Sequence, residues 1–396
     1  MTFENPPPKK KPPPRKHRRG AALRVVLWLA LLAAVLLAVI TFLVYRDEID
    51  AVMLSRVLPS IRLPGVAREE AVEQLAYDPL EDNVFSLAGD SLCILNQRRL
   101  TLCSAAGKEL VGRSLTFSRP TLCAAERFLL AYDRGGGSLF LLDDRGIQLE
   151  KAYDRPILSA RVNRKGLFAV VSEEAGFKAV AEVFDKKGEK LFRVQSPKRY
   201  LTDAVPSADG GRLAVAGLEQ EGSRFLSGVT VYSLKEEEPL FHVEFPDELV
   251  LAVSYPDNNH IVVLLETSVA FFDRDGKLLS QYFFGDKKFL GGAFAGESFV
   301  AFRLGRYLSS VRNELIILDL EGGELLCSEA REPILGMSAA GGFLSVLVTG
   351  SISVYDDTGA LVGEAAVSNV RSILQREDGS VMTLGLGQAK RVSVDS

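Results

Sequence analysis

Residue types that carry catalysis and metal binding are scarce in this chain. Its 396 residues include three histidines, four cysteines and one tryptophan. The histidines are His17, His242 and His260, and none has a sequence neighbour that would complete a metal pair or a catalytic triad. The G-x-S-x-G elbow, the phosphate loop and the HExxH motif are also absent. The sequence therefore predicts that the protein is not an enzyme, and it indicates no metal and no cofactor.

The few cysteines do not suggest a disulfide framework. They are Cys93, Cys103, Cys123 and Cys327, all in apolar, strand-like surroundings. The first two lie on consecutive predicted strands of a hairpin. If Leu95 pairs with Leu100, their thiols point to opposite faces, which disfavours a disulfide, although a bulge in the turn would change that register. We expect four unpaired thiols that behave as small buried apolar groups.

Charge is missing from residues 25–45, VVLWLALLAAVLLAVITFLVY. Twenty-one helical residues span roughly 31 Å, about the thickness of one hydrocarbon core. Signal-peptide cores are shorter, about 7–15 residues, and precede a small-x-small cleavage site, which VYRDEIDAV does not provide. We predict a retained transmembrane helix, and no second run of this length follows.

Positive charge is concentrated before this span. Residues 1–24 carry eight Lys or Arg and one acid, whereas the chain as a whole has a net charge of −4. A basic head on an acidic body argues against nucleic acid as a partner. By the positive-inside rule, the disordered Pro/Lys/Arg-rich tail (1–24) is cytoplasmic and the body extracytoplasmic. Residues 46–65 look like a stalk, and the lipid bilayer is one expected partner.

A repeat of about forty residues fills the body. Gly107 and Gly359 end its first and last turns, 252 residues apart over six intervals, a mean of 42. The clearest copies are LLDDRG (141–146), VFDKKG (183–188), FFDRDG (271–276), ILDLEG (317–322) and VYDDTG (354–359). Only strand-like pattern lies between them. This period predicts an all-β fold, a β-propeller, over residues 66–396.

The number of third strands predicts eight blades. They lie near Leu102, Leu141, Val183, Val231, Phe271, Ile317, Val354 and Val392. The last unit (372–396) lacks a fourth strand, and EEAVEQLAY (69–77) has no unit of its own. We expect that N-terminal segment to complete the last blade, which leaves no open edge. Seven larger blades with one orphan strand are the alternative.

The repeat also places an acid in every clear copy: Asp143, Asp185, Asp273, Asp319 and Asp356. Such a ring suggests metal binding or catalysis, but each Asp begins a tight turn that a glycine closes. Asp side chains bond backbone groups two residues on, and glycine accepts positive φ. Turn chemistry therefore explains these acids without a ligand.

The layout of tail, single span, stalk and propeller resembles an uncharacterised family of membrane-anchored propellers from Gram-positive, clostridia-like bacteria, whose domain has no known function. The body also resembles the eight-bladed quinoprotein-type fold of outer-membrane assembly scaffold lipoproteins. Quinoprotein enzymes carry repeated tryptophan docking motifs, whereas the single tryptophan here is Trp28, inside the predicted span. The Gly-His and Trp-Asp signatures of WD40 repeats are absent. The resemblance implies a single-pass envelope protein without an assigned activity.

Three long connections between second and third strands are the best candidates for a binding surface. They are SEEAGFKAVAE (172–182), GLEQEGSRFLSG (217–228) and RLGRYLSSVRN (303–313). The third contains Arg303, Arg306, Tyr307 and Arg312, residue types enriched in interface hot spots. We predict that these four residues contact a partner, most simply another envelope protein, and name Lys198, Arg199 and Tyr200 as the second place to look.

The predicted function is a protein-interaction scaffold or ligand-recognition module at the cell membrane. Two alternatives stay open. An envelope glycan- or peptidoglycan-binding propeller would need exposed aromatic side chains in a concave pocket, and the loops contain few. A propeller-type hydrolase or lyase is disfavoured by the missing catalytic motifs.

Overall fold

The computed structural model of the protein describes residues 74–222, 224–293, 298–306 and 309–394, with the backbone alone described at residues 221 and 309–312. The predicted tail (1–24), membrane span (25–45) and stalk (46–65) lie outside the described residues. In the part that is described, no helix combines the length and the apolar composition that crossing a bilayer requires.

The described residues form eight four-stranded antiparallel sheets, and each sheet is one blade. Blades 1 and 2 contain β2 (Val84–Ala88), β3 (Ser91–Leu95), β4 (Arg99–Cys103), β5 (Glu109–Ser114), β6 (Pro120–Ala125), β7 (Phe128–Asp133), β8 (Ser138–Asp143) and β9 (Gly146–Ala152). Blades 3 and 4 contain β10 (Ile157–Val162), β11 (Phe168–Glu174), β12 (Phe177–Phe184), β13 (Lys190–Ser196), β14 (Tyr200–Pro206), β15 (Arg212–Glu221), β16 (Arg224–Ser233) and β17 (Pro239–Pro246).

The second half of the ring repeats this plan. Blades 5 and 6 contain β18 (Val250–Ser254), β19 (His260–Leu265), β20 (Ser268–Asp273), β21 (Leu278–Phe283), β22 (Lys288–Ala293), β23 (Phe299–Arg306), β24 (Ser309–Asp319) and β25 (Glu324–Glu329). Blades 7 and 8 contain β26 (Gly336–Ala340), β27 (Phe343–Val348), β28 (Ser351–Tyr355), β29 (Leu361–Ala366), β30 (Val370–Gln375), β31 (Val381–Gly385), β32 (Gln388–Val392) and the first strand of the described chain, β1 (Gln74–Ala76). The four strands of a blade are called a to d from the centre outward.

Burial follows from the position of each strand in its blade. The middle strands are covered on both faces by neighbouring blades, so β7, with the sequence FLLAYD, is buried at all six positions. The outer strand β9 alternates between exposed and partly buried positions, as a strand with one solvated face should. Eight apolar clusters fill the eight seams between blades, including the seam between blade 8 and blade 1.

The c–d turns have the hydrogen bonds that the repeat predicts. In blade 5, Asp273 Oδ1 accepts the backbone N–H groups of Asp275 and Lys277, each at 2.9 Å. Gly276 has φ of +84°, in the left-handed region that glycine enters without steric cost. Asp185, Asp319 and Asp356 accept the same two backbone bonds, and Asp143 accepts the first of them. The assignment of these five acids to turn chemistry is confirmed.

The N-terminal strand closes the ring, as the sequence predicts. β1 pairs antiparallel with β32, with Leu75 opposite Ala389. Leu75 packs against the apolar cluster between blades 8 and 1, which includes Leu92. At the same seam, the buried guanidinium of Arg376 donates to Asp90 Oδ1 at 2.8 Å. The eight-bladed prediction is confirmed, and the seven-bladed alternative is wrong for the sheets of residues 74–392.

The cysteine hairpin has the predicted register, which pairs Leu95 with Leu100, Cys93 with Leu102 and Cys103 with Leu92. All four thiols are unpaired. Burial raises the pKa of both Cys93 and Cys103. The expectation of burial is wrong for Cys327, which is exposed because it lies on β25, an outer strand d.

The three long b–c connections are also different from the prediction. They are continuations of the strands: β15 and β16 pair along ten residues each, from Arg212 opposite Ser233 to Glu221 opposite Arg224. In blade 3 the ladder extends to Glu174 opposite Phe177. The polar residues of these segments hide the alternation that predicts a strand. Their strand structure becomes evident only from the pairing with a second extended strand.

Candidate functional site

The two faces of the ring differ in construction. The a–b and c–d turns share one face, here called the turn face, and the b–c and d–a connections share the other, the hairpin face. Strand d runs from the c–d turn to the d–a connection, and β1 is the strand d of blade 8. Gln74, opposite Lys390, therefore lies toward the turn face, and Ala76 toward the hairpin face.

The predicted contact residues of blade 6 lie on the β23–β24 hairpin of the hairpin face. Arg303 is partly buried, and its guanidinium donates to the backbone carbonyls of Ile334 and Leu290. It therefore links blade 6 to blade 7 through the backbone. Arg306 is exposed, with Nε 3.6 Å from Asp286 Oδ2.

The other two predicted residues of this hairpin provide no side-chain geometry. Tyr307 lies outside the described residues, and Arg312 is described by its backbone alone, within β24. Arg303, Arg306 and Arg312 are thus placed on one hairpin, and Arg306 is the exposed cation among the two whose side chains are described. Their role as a partner contact stays a prediction.

A cavity of about 240 Å³ opens between blades 3 and 4, beside the d–a connection of residues 197–199. Its wall includes Ser196, Lys198, Arg199, Glu219, Thr230 and Tyr232. This is the segment that the sequence ranked second. A larger cavity of about 490 Å³ lies at the seam of blades 8 and 1, where the polar groups of the wall already pair with one another, as Arg99 does with Glu109.

Arg199 organises the polar side of the smaller cavity. Its Nε donates to Glu219 Oε2 at 3.1 Å and its Nη2 to Glu244 Oε1 at 2.7 Å. Its Nη1 lies 2.6 Å from His242 Nε2, and His242 Nδ1 lies 2.8 Å from Thr230 Oγ1. These distances fit a neutral imidazole whose Nδ1–H donates to Thr230 and whose Nε2 accepts from Arg199, a tautomer assigned from the network.

The electrostatics of this cluster favour that arrangement. Burial, followed by the neighbouring Arg199 charge, lowers the pKa of His242. The hydrogen bond from Arg199 lowers the pKa of Glu244. The cluster therefore holds one cation, two carboxylates and a neutral imidazole, so its strong donors and acceptors are largely satisfied by one another. It is built to position polar groups and contains no activated nucleophile.

Glycine makes room for the cluster on β16. A Cβ at Gly228 would lie 2.7 Å from the carbonyl oxygen of Val243 and 2.8 Å from His242 Cε1. A larger residue would therefore displace the imidazole or strand β17. The sequence points to Arg199 alone, because Glu219 and His242 lie on two other segments of the chain, 20 and 43 residues away, and only the fold brings them to its guanidinium.

Exposed aromatic side chains flank the cavity on the hairpin face. Tyr200 is 51% exposed, and Lys178 Nζ lies 2.9 Å from its hydroxyl oxygen and 4.6 Å from its ring centroid. Phe225 at the tip of the β15–β16 hairpin is 52% exposed, and Phe177 begins β12. Lys198 is exposed, and no hydrogen bond or ion pair joins it to another described residue. The site thus combines apolar rings with a free cation beside a pre-formed polar cluster.

An ion pair between the buried Asp203 and Arg161, whose side chain is 41% exposed, holds the same two blades together nearer the channel. Arg161 Nε lies 3.0 Å from both carboxylate oxygens of Asp203, and Ser159 Oγ donates to Asp203 Oδ1 at 2.6 Å. Burial disfavours the charged guanidinium, but the Asp203 carboxylate outweighs burial and raises the pKa of Arg161. The pair joins strand a of blade 3 to strand a of blade 4, and its partners leave no free group for a ligand.

The sequence as a whole belongs to a family of unknown function, DUF5711, whose model matches residues 70–383. The match covers most of the chain, from before β1 into β31 of the last blade. No curated protein matches the sequence.

Solved structures share the fold at low identity. The chain is similar to the C-terminal WD40 domain of Sif2 (TM-score 0.53, 12% identity, covering 83% of this chain and 97% of that one). It is also similar to the Dos1 propeller (TM-score 0.54, 12% identity, 83% and 95%). A third is dihydro-heme d1 dehydrogenase NirN in complex with DHE (TM-score 0.50, 14% identity, 77% and 76%). These likenesses show a WD40-like propeller fold, which an enzyme such as NirN shares with the other two.

Proposed function

We propose that this protein is a membrane-anchored, extracytoplasmic scaffold that binds another envelope protein through the hairpin face of its propeller. The WD40-like fold is suited to protein interaction. The proposal adds the membrane anchor, which rests on the apolar, uncharged residues 25–45, and the outward orientation, which rests on the basic residues before them.

The asymmetry of the two faces carries this proposal. The turn face consists of tight turns whose Asp side chains are occupied by backbone N–H groups. The hairpin face carries the extended b–c hairpins, the cavity of blades 3 and 4 and the exposed rings of Tyr200 and Phe225. Variable, projecting segments on a rigid scaffold are where binding sites usually lie.

Photo-crosslinking tests the proposal directly. Benzoylphenylalanine replaces Phe225 or Tyr200 on the hairpin face of the full chain, and Lys186 or Lys187, which are exposed in a c–d turn, on the turn face. We expect irradiation of intact cells to yield the same adduct from both hairpin-face positions and none from the two turn-face positions.

Two other patterns would count against the proposal. Adducts that come only from the turn face would place the partner on the opposite side of the ring. Equal labelling from all four positions would indicate random collision, because a specific interface buries one patch and leaves the remainder free.

Envelope glycan binding is the second candidate, and one observation favours it. The Tyr200 ring is half exposed beside a cavity with Thr230 and Glu219 in its wall, and such a ring with adjacent polar groups suits a sugar. Calorimetry with soluble peptidoglycan fragments tests it: binding that Tyr200→Ala abolishes would support this candidate, and absence of binding would reject it.

A further inference from the structure

A β-bulge recurs at the start of strand a, on the hairpin face and around the central channel. In blade 5 the pairing moves from Val250 to Ala252, which leaves Leu251 as the extra residue. In blade 6 the extra residue is Leu290. In blade 7 the ladder has no register shift, but Leu335 directly precedes the paired residue Gly336 and donates its N–H to the Leu347 carbonyl at 2.8 Å. Blades 5, 6 and 7 therefore each present a leucine at the start of strand a.

These three leucines, here called the bulge crescent, are exposed. Leu251 is 50% exposed, Leu290 46% and Leu335 50%. Phe283, at the hairpin-face end of β21, is 64% exposed and lies on the same side of blade 5. Clustered exposed apolar side chains on an otherwise charged protein mark interaction sites, whereas single ones are ordinary.

The fold does not require leucine at the bulge. In blade 3 the bulge position holds Leu158, which packs against the apolar cluster between blades 3 and 4, but in blade 4 it holds Thr202 and in blade 8 Arg371. Leu251, Leu290 and Leu335 belong to none of the eight apolar clusters, and the fold accepts a hydroxyl or a guanidinium at the same place. The exposed leucines therefore lack a structural reason, and a partner that covers them supplies one.

Arg371 indicates a second property of the partner, a negative charge next to its apolar residues. It follows the crescent around the ring, since blade 8 is next to blade 7, and its side chain is exposed. Among the described residues it forms no hydrogen bond or ion pair. Burial raises the pKa of Tyr77, and the positive charge of Arg371 opposes that rise. A free guanidinium beside an apolar surface suits a carboxylate, because an Arg–carboxylate pair can form two parallel hydrogen bonds.

We infer that the bulge crescent and Arg371 form a docking site for a polypeptide segment of a partner protein that carries two or three large apolar side chains next to a carboxylate. The inference rests on the proposed scaffold function and gives it a specific surface, distinct from the cavity of blades 3 and 4. The apolar residues cover Leu251, Leu290 and Leu335, and the carboxylate pairs with Arg371.

The test uses the purified full chain and a library of random peptides of about twelve residues. We expect the enriched peptides to combine large apolar residues with an adjacent Asp, Glu or free C-terminus. Leu251→Ser with Leu290→Ser and Leu335→Ser should weaken their binding at least about tenfold. The matched control, Leu191→Ser with Leu240→Ser and Leu361→Ser, changes three leucines of similar exposure at the starts of strands d and should leave binding unchanged.

A charge reversal keeps the test decisive if the triple variant folds poorly. Arg371→Glu alters one exposed side chain, and we expect it to weaken the selected peptides about tenfold and to restore binding of a peptide whose acid is replaced by lysine. A library that yields no enriched peptide, or enriched peptides that tolerate both the crescent variant and Arg371→Glu, overturns the inference.

Failure of this inference is distinguishable from failure of the scaffold. Peptides that lose binding with Lys198→Ala and Tyr200→Ala, but not with the crescent variant, would leave the scaffold in place and move the site to blades 3 and 4. If crosslinks from Phe225 and Tyr200 are also absent, the scaffold function itself fails.

Discussion

At the residue scale, one side-chain type performs two different tasks in this ring. Asp273 lies at the surface, and hydrogen bonds from the backbone of Lys277 and Asp275 lower its pKa and shape a turn. Asp203 is buried and holds Arg161 of the neighbouring blade. The first task needs only a local sequence pattern, whereas the second needs two blades in contact.

Gly228 occupies a position at which the site has no room for a side chain. A methyl group there meets the Val243 carbonyl and His242, so we expect Gly228→Ala to cost about 1–3 kcal/mol of overpacking strain, only partly offset by the roughly 0.5–1 kcal/mol that alanine gains over glycine. Gly336→Ala, where nothing lies within 4 Å of the added Cβ, is the control and should not destabilise. Urea unfolding measures both; equal stabilities would show that the cluster moves freely.

His242 makes stability depend on pH. Its pKa is lowered in the folded state, first by burial and then by Arg199, so the unfolded chain binds the proton more tightly. Its contribution is present above the unfolded pKa of about 6.5 and is lost as pH falls through the lower folded pKa. We expect the free energy of unfolding to drop between about pH 8 and about pH 5.5, and the drop to shrink in His242→Gln. An identical pH profile in the variant would contradict this.

At the scale of elements, the bulges and hairpins distinguish blades that share one plan. The c–d bulge recurs in most blades and places residues such as Leu191 and Leu240 on the outer strand. The b–c hairpins instead differ in length from blade to blade. Regular features therefore build the ring, and irregular ones build the surface on which binding is proposed.

Strand β1 has three residues, and only one of its faces packs against the ring. Leu75 packs into the apolar cluster of the closing seam, whereas Ala76 is exposed on the other side of the same strand. We expect Leu75→Asp to cost about 2 kcal/mol or more, because it buries a charge, and to promote aggregation through the freed edge of β32. Ala76→Asp, the control on the same strand, should stay within about 0.5 kcal/mol of the parent. Thermal unfolding and light scattering measure both effects; matching behaviour would mean that closure does not depend on packing.

The β23–β24 hairpin tests the site that the sequence placed first. Arg306 is exposed and its ion pair with Asp286 is a surface pair, so we expect Arg306→Ala with Tyr307→Ala to leave the melting temperature nearly unchanged. If the hairpin contacts the partner, the change should weaken recovery of the crosslinked partner by about thirtyfold, or about 2 kcal/mol. Lys186→Ala with Lys187→Ala is the control and should change neither quantity. A stable variant with normal recovery would move the site to Lys198, Arg199 and Tyr200.

At the scale of the whole molecule, the ring is continuous because every seam has its own apolar cluster. We expect protease added to cells stripped of their wall to degrade a C-terminal tag and to spare an N-terminal one, because the basic residues before 25–45 favour the cytoplasmic side. Lysed cells, in which both tags should be degraded, are the control. The reverse pattern in intact cells would overturn the orientation.

The sequence by itself determined the repeat, the number of blades and the turn acids, because each depends on residues close together in the chain. Asp319 and Gly322 belong to one turn, and Cys93 and Leu102 to one hairpin. It also determined the closing strand, although Leu75 pairs with the distant Ala389, because the last unit lacks a fourth strand and the first strand has no unit of its own. Only the tertiary structure decided that the long connections are paired strands, that Arg199 meets Glu219, His242 and Glu244, and that blades 5, 6 and 7 each expose a leucine at the start of strand a. The paired strands have no hydrophobic period to reveal them, and Arg199 is 20 to 45 residues away from its partners, so sequence neighbours alone do not show these contacts.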